Sequence, residues 1–593
     1  MDEDRLAVPR WAKRGGTMFD LLITSGLIVD GLGGAPYRAD LGIEGTMITA
    51  IGDLRDQPAR RSIDAAGKIV TPGWVDCHTH YDGQITWDEV LAPTSVHGVT
   101  TIVTGNCGVG FAPVAPDRHQ WLIELMEGVE DIPGTALAEG ITWGWESFPE
   151  YLDGLDDARW TMDVATQVSH GAVRGYVMGD RGARNEPATA EDIAQMAAIV
   201  REAIEAGAFG FSTSRTLAHR ALDGEPVPGT FAMADELFGL GRALGSVGRG
   251  VYEVAPLGTA GEDAAGMRRE VEWMAELSKE IGLPLTYALL QTDADPELWR
   301  TLLEHSLKAN ADGAQLRPQV AGRPTGLLTG NFTTYSLFDA IPAYKALRES
   351  AADEAAFVAG FTDASMRDAI VSWEPANDEE RIRMDGALRS TFLLGTPPNY
   401  EPRAEDCLTG LAERSGQSAM ANAYDAMAEH DGHGLLYLPI LNYSSRNLDH
   451  VAELFAHPEV ISGLADGGAH VGTICDASLP TYLLTHWTRD RDGARLRLEE
   501  AVKKQTHDTA QLYGLTDRGR LTVGALADVN VIDYDALTIT APRVVQDLPA
   551  GGRRILQGAT GYVATIKSGT VTFEDGTHVG ALPGRLLRSG QFA

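Results

Sequence analysis

Apolar residues recur along this chain in two rhythms. Near the start, short alternating runs separated by Gly and Asp turns predict strands: DLLITSGLIVD (20–30), ADLGIEGTMITAIG (39–52) and GKIVTPG (67–73). The tail repeats the pattern in GALADVNVIDYD (524–535), GYVATIKSGTVTFEDG (561–576) and the closing LPGRLLR. Two strand-rich ends around a long middle predict one small β domain assembled from both termini. The middle alternates strand-like and helix-like runs. Its strand candidates are GWVDCHTH (73–80), VTTIVTGNC (99–107), ATQVSHG (165–171), GAFGFSTS (207–214), GVYEVAP (250–256), LPLTYALL (283–290), AQLRPQV (314–320) and VISGLAD (460–466). Helix candidates fall between them, at 190–207 and at 267–282, where Val271, Met274, Leu277 and Ile281 keep helical spacing. Eight such units predict an α/β fold, a (β/α)8 TIM-like barrel over 73–515. A small β-sandwich would come from 1–72 and 516–593. One further run, LLYLPILNY (435–443), fits either a strand of an insertion spanning about 330–450 or the true seventh barrel strand.

The length of 593 residues suits a large barrel with a satellite domain. No apolar run approaches the roughly 20 residues of a membrane span, and MDEDRLAVPRWAKRGG lacks a signal-peptide core. Both readings point to a soluble, cytoplasmic protein. Four scattered cysteines fit a reducing compartment. The formal charge of −34, from 49 basic against 83 acidic residues, disfavours nucleic acid and anionic membranes as partners. There is no P-loop, no Gly-x-Gly-x-x-Gly between a strand and a helix, no Cys-x-x-Cys pair and no Gly-x-Ser-x-Gly elbow.

The chemistry centres on GWVDCHTHYDGQ (73–84). Residues two apart on a strand share a face, so His78 and His80 form a ready chelate for zinc or another divalent metal at a strand's C-terminal end. Cys77, which alternates with them, should face away from the barrel interior. TPGWVDCHTHYDGQ, following GKIV, resembles the amidohydrolase superfamily. VTTIVTGNCGVGFAPV, SHGAVRG, NEPATAEDIAQM, AGAFGFSTS, LADGGAH and LPGRLLR, in that order, resemble its N-acyl-D-amino-acid deacylase (D-aminoacylase) branch from about residue 19 to 588.

The resemblance implies that His78 and His80 are metal ligands, that Cys107 is the metal-binding cysteine, and that Asp466 is both ligand and catalytic acid–base group. It also exposes a departure. The branch carries metal-binding histidines at the ends of barrel strands five and six, whereas the matching runs here are YEVAPLG (252–258) and TYALLQ (286–291). Ala255, Leu289 and Leu290 occupy the histidine positions, and Gln291 stands where the branch has lysine. We therefore expect one metal, held by His78, His80 and Asp466, with Cys107 or Glu253 as fourth ligand.

His170 and Arg215 are candidate substrate contacts, as is Gln291. His219 and Arg323 are further candidates for an anionic or carbonyl group, and Tyr443 for the pocket wall. His470 carries no ligand role in the resemblance. The leading expectation is a metal-dependent hydrolase cleaving an amide bond of a small molecule. A mononuclear site acting on a lactam, an ester or a C–C bond beside a carbonyl is the alternative within the fold. A catalytically inactive binding protein is the alternative outside enzymology, and superfamily habit implies a homo-oligomer.

Overall fold

The computed structural model describes residues 18–592, so the reading made on MDEDRLAVPRWAKRGG lies outside the described residues. The chain opens with β1 (Phe19–Ile28), β2 (Tyr37–Glu44) and β3 (Met47–Gly52), an antiparallel meander, while β4 (Ala59–Asp64) and β5 (Ile69–Pro72) run parallel to β1. β4, with the sequence ARRSID, had no hydrophobic alternation to reveal it. Only Ile63 of its residues is buried, because the strand lies at an edge.

The middle segment begins with β6 (Trp74–Asp76), β7 (Val99–Thr104) and β8 (Asp163–Thr166), three adjacent parallel strands. β9 (Val168–Ser169), β10 (Gly210–Ser214), β11 (Val251–Ala255), β12 (Leu285–Ala288) and β13 (Leu316–Val320) follow, also in parallel register. β14 (Thr325–Thr329), β15 (Phe392–Leu393) and β16 (Leu436–Leu441) form a separate antiparallel sheet. LLYLPILNY is therefore a strand of the insertion. The strand that completes the parallel set beside β13 is β17 (Ile461–Ser462). These strands read as near-continuous apolar runs because helices cover one face and side chains from neighbouring strands fill the other. The helix Ala190–Ala206 starts at a capping box between Thr189 and Asp192. The helix Ala264–Ile281 buries Met267, Val271, Met274 and Leu277 along one stripe.

Two contacts tie the parallel strands together. Only Gln167 separates β8 from β9 in the chain. At the other side Thr79 bridges Gly467 in parallel fashion, and the His80 amide donates to the Gly467 carbonyl at 2.8 Å. The loops after β6 and β17 are thus fixed against each other.

The last strands are β18 (Val529–Ile532), β19 (Thr538–Ile539), β20 (Arg543–Leu548), β21 (Gly552–Leu556), β22 (Ala559–Thr560), β23 (Tyr562–Lys567), β24 (Thr570–Glu574) and β25 (Thr577–His578). β18 pairs with β5, and β23, β24 and β25 extend the sheet outward, so strands from both ends share one mixed nine-stranded sheet. Leu21, Ile23, Leu41, Val70, Val531 and Ile566 are among the residues of its own apolar core. The closing LPGRLLR does not join that sheet: Gly584 and Leu586 bridge back to Trp160 and Val164 beside β8.

Candidate metal centre and active site

The two histidines project from the end of β6. The His78 side chain is held by Gln319 of β13, whose Oε1 lies 2.9 Å from Nδ1. A glutamine carbonyl only accepts, so Nδ1 carries the proton and Nε2 presents its lone pair to the site. Cys107 Sγ and Asp466 Oδ1 each lie 3.4 Å from that Nε2, and Asp466 Oδ1 lies 3.8 Å from His80 Nε2. Four bonds of about 2.0–2.3 Å to a tetrahedral zinc require donor atoms about 3.3–3.8 Å apart. The His78–Cys107, His78–Asp466 and His80–Asp466 separations match that spacing, while Asp466 lies outside the mutually close group of His78, His80 and Cys107. Among the described residues, His78, His80 and Cys107 form the one close group of three such side chains, and all three are buried.

Protonation fits the same role. Burial drives the His78 pKa down to about 4 and holds His80 well below the usual imidazole range, which keeps both imidazoles neutral, as ligands must be. Burial, and then the carboxyls of Glu253 and Glu130, push the Cys107 thiol up, so a cation is what would make it a thiolate. Burial also lifts Asp466 to about 6.

The backbone is shaped to deliver these groups. Cys107, Asp466 and His470 have φ of 54°, 47° and 49°, in the left-handed region that non-glycine residues rarely adopt. Gly108 lets the Cys107 loop lie on β10, since a Cβ there would sit 2.6 Å from the Ser214 amide nitrogen.

Glu253, on β11, accepts a hydrogen bond from the Cys107 amide at 2.9 Å, while its other carboxyl oxygen is buried without a partner. Burial raises its pKa to about 8. It supports the Cys107 loop and stands outside the close donor group.

Two residues that matter here were not singled out in the sequence. Gln319 lay in AQLRPQV, where an inward-facing glutamine on a strand was the available signal. Glu130 ends the helix His119–Glu130, and its Oε1 lies 3.3 Å from His80 Nδ1 while Oε2 lies 3.7 Å from His470 Nε2. No local spacing links position 130 to position 80. His80 Nδ1 and Glu130 Oε1 face each other without a well-angled hydrogen bond, so a small ring rotation would pair them.

Several expectations need correction. His170 is fully buried and uses both ring nitrogens, on Thr213 Oγ1 (2.8 Å) and Glu236 Oε1 (3.0 Å); Glu236 also holds Arg174. It has no face left for substrate. Arg215 pairs with Glu270 at 2.8 Å and donates to the Thr230 and Ala232 carbonyls. The Gln291 amide clamps a loop, donating to Ser445 Oγ and the Pro296 carbonyl. Arg323 is buried against Asp476 and stacked on Tyr400, and Tyr443 is fixed to the Pro402 carbonyl. Cys77 does not turn away: it packs with Val75, Val103, Ala165, Val251 and Ile461, from five of the parallel strands, in the space those strands share. His219 is held by Ser214 Oγ at 2.9 Å and remains half-buried on the loop after β10.

An amidohydrolase family model matches residues 61–573. The D-aminoacylase of Alcaligenes xylosoxydans xylosoxydans is similar at 28% identity over 525 residues, 88% of this chain and 90% of that protein. The N-acyl-D-glutamate deacylase of the same organism is similar at 28% over 578 residues, 96% of each. Among solved structures, the N-acyl-D-glutamate deacylase from Bordetella bronchiseptica, complexed with zinc and a phosphonate mimic of the tetrahedral intermediate, has a TM-score of 0.64 at 25% identity, covering 97% of this chain and 100% of that one. A D-aminoacylase crystal structure has the same fold, with a TM-score of 0.63 at 23% identity over 96% of this chain and 100% of that one.

Proposed function

The chain belongs to the amidohydrolase family, and from that membership we propose that it hydrolyses an amide bond of a small molecule, in the manner of the N-acyl-D-amino-acid deacylases, with one divalent metal per chain. The observation that carries this is the spacing of the His78, Cys107, Asp466 and His80 donor atoms, at 3.4, 3.4 and 3.8 Å. His78, His80, Cys107 and Asp466 would hold the ion, and Gln319 and Glu130 would orient the imidazoles. A bound divalent ion supplies the charge that acidifies an attacking water and polarises the scissile carbonyl. Asp466 is the proton carrier: it takes the water's proton and returns it to the leaving nitrogen.

A single ion is supported by β11 and β12, which end in Ala255 and Ala288 and continue into Pro256 and Leu289, none of them a ligand. The same feature favours a second reading within the fold, in which the bond cleaved is that of a lactam or an ester. We read the two parallel sheets as one closed eight-stranded barrel in which β8 and β9 count as a single interrupted strand, supported by the Thr79–Gly467 bridge and the one-residue step from β8 to β9. The separate core of the terminal sheet supports a small sandwich built from both ends. Four free cysteines support a cytoplasmic address. No helix among the described residues is long and apolar enough to cross a membrane.

Metal analysis of purified protein is the test. One zinc per chain, lost in a His78→Ala/His80→Ala double variant, is expected. Two tightly held ions per chain would overturn the one-metal assignment.

A further inference from the structure

We propose that this site takes substrates carrying no charge on the amine side of the scissile bond: neutral amides or lactams in preference to N-acyl amino acids. The inference rests on the amide-hydrolase reading and narrows it.

The argument starts from which side chains face the site. Gln319 points to His78, and Ala288 is its register partner on β12, so Ala288 faces the same way. Ala255 lies two residues beyond the inward-facing Glu253, and Ala321 two beyond Gln319, so strand alternation sets both on that face. Ala465 directly precedes Asp466. Four adjacent parallel strands thus end in an arc of methyl groups beside the donor cluster. Ala288, Ala321 and Ala465 pack with Leu464 and Leu479, and Leu290 closes against them. An apolar wall of small side chains leaves room for a hydrocarbon portion of the substrate and offers it no hydrogen bond.

Among the described residues, no uncommitted cation stands opposite that wall: Arg554, which lines the cavity beside Asp466, is held by Asp547 and the Ala92 carbonyl. The arginines on the flanking loops are committed elsewhere. Arg215 is paired with Glu270 and Arg323 with Asp476. Arg220 turns to the Gly224 carbonyl, and Arg446 turns to Ser390 Oγ and the Phe392 ring. The Gln291 amide is tied to Ser445 and Pro296. The ionisable groups around the histidines are the carboxyls Glu130, Glu253 and Asp466 and the imidazoles of His219 and His470, whose pKa values burial lowers. A substrate carboxylate entering here would lose its water, meet methyl groups and acids, and find no cationic partner, which is the costly way to bury a charge. A carboxamide or a ring amide would lose far less.

The test uses the zinc-loaded full chain and a panel of N-acetyl amino acids, both enantiomers, each matched with its carboxamide, together with simple lactams. The expected result is a kcat/KM for the carboxamides at least tenfold above that of the matching acids, with the difference in KM. Acids hydrolysed as well as or better than carboxamides would overturn this inference and leave the hydrolase reading standing. Turnover of nothing in the panel would overturn the hydrolase reading, on which this inference depends. Ala288→Lys adds a cation to the arc and should raise the acid-to-carboxamide ratio at least tenfold. Ala255→Lys is the second placement, and both variants are checked for folding by thermal unfolding. An unchanged ratio in both folded variants would overturn the placement of the arc against the substrate.

Discussion

Replacing Gln319 by leucine should weaken zinc binding without unfolding the protein. The Gln319 Oε1 to His78 Nδ1 contact is 2.9 Å long, and both side chains are buried. In the metal-free protein, losing the acceptor matters little. The imidazole can move its proton from Nδ1 to Nε2, and leucine fills nearly the same volume. It also removes the Gln319 Nε2 group, which has no partner where it stands. With the metal bound, that escape is closed: Nε2 must stay bare, so the proton remains on Nδ1 in a dry site. A buried donor left unpaired costs about 1–3 kcal/mol. Outer-shell partners of metal-bound histidines are worth about 10–100-fold in affinity, which is about 1.4–2.8 kcal/mol. The two routes to the magnitude agree. Competition against a chromophoric chelator should therefore give a zinc Kd raised about 10–100-fold, while the apo-protein's unfolding midpoint barely moves. A Kd within twofold of wild type, with the variant folded, would refute the claim that Gln319 sets the His78 tautomer.

Asp466→Asn should keep its zinc and lose about 10²–10⁴-fold in kcat, the usual worth of a positioned acid–base group; retained turnover of a confirmed substrate would remove Asp466 from proton transfer. Cobalt-loaded wild-type protein should show a thiolate-to-metal absorption band that Cys107→Ser lacks, and a band surviving in the variant would exclude Cys107 as a ligand. Lys567, buried between Asp163 and Asp528 at 2.7 and 2.9 Å, should cost about 3 kcal/mol in chemical denaturation when changed to methionine, because two buried carboxylates lose a shared cation and only Asp163 keeps a close one, Arg518. Burial works to raise the Glu401 pKa, but its hydrogen bonds to His486 and Arg491 outweigh that and hold it at about 2. The folded state then binds fewer protons than the unfolded one, so this contribution is complete above the ordinary glutamate range and lost as pH falls towards 2; denaturation curves between pH 3 and 7 should show it, and Glu401→Gln should flatten that part of the profile.

Much of the architecture could be read before any coordinates. Several parallel strands, such as β7 and β11, were marked by compact, mostly apolar runs, because both of their faces are buried. His78, His80, Cys107 and Asp466 were legible because each sits at a strand end within a short motif. What escaped was whatever depended on side chains meeting across the fold. Glu130 reaches His80 from a helix end, and Gln319 reaches His78 from a distant strand; neither position has a local signature. His170, Arg215 and Arg323 looked available only because their carboxylate partners Glu236, Glu270 and Asp476 lie far away in sequence. A charged or imidazole side chain near a site is free until the fold supplies its counterpart, and sequence order does not show that counterpart.

The pairing of β5 with β18 has a practical consequence for taking the protein apart. A nick in the insertion, among the helices between residues 342 and 432, would give two fragments of complementary content. The first would own His78, His80, Cys107 and Glu130, and the second would own Asp466. Each would also own half of the terminal sheet, with an open edge at β5 or β18 that only the other fragment matches. Reunited, they would rebuild that edge and the Thr79–Gly467 junction in a single event. The molecule thus comes with a natural seam for a split reporter, in which recovered turnover counts how often the two pieces meet.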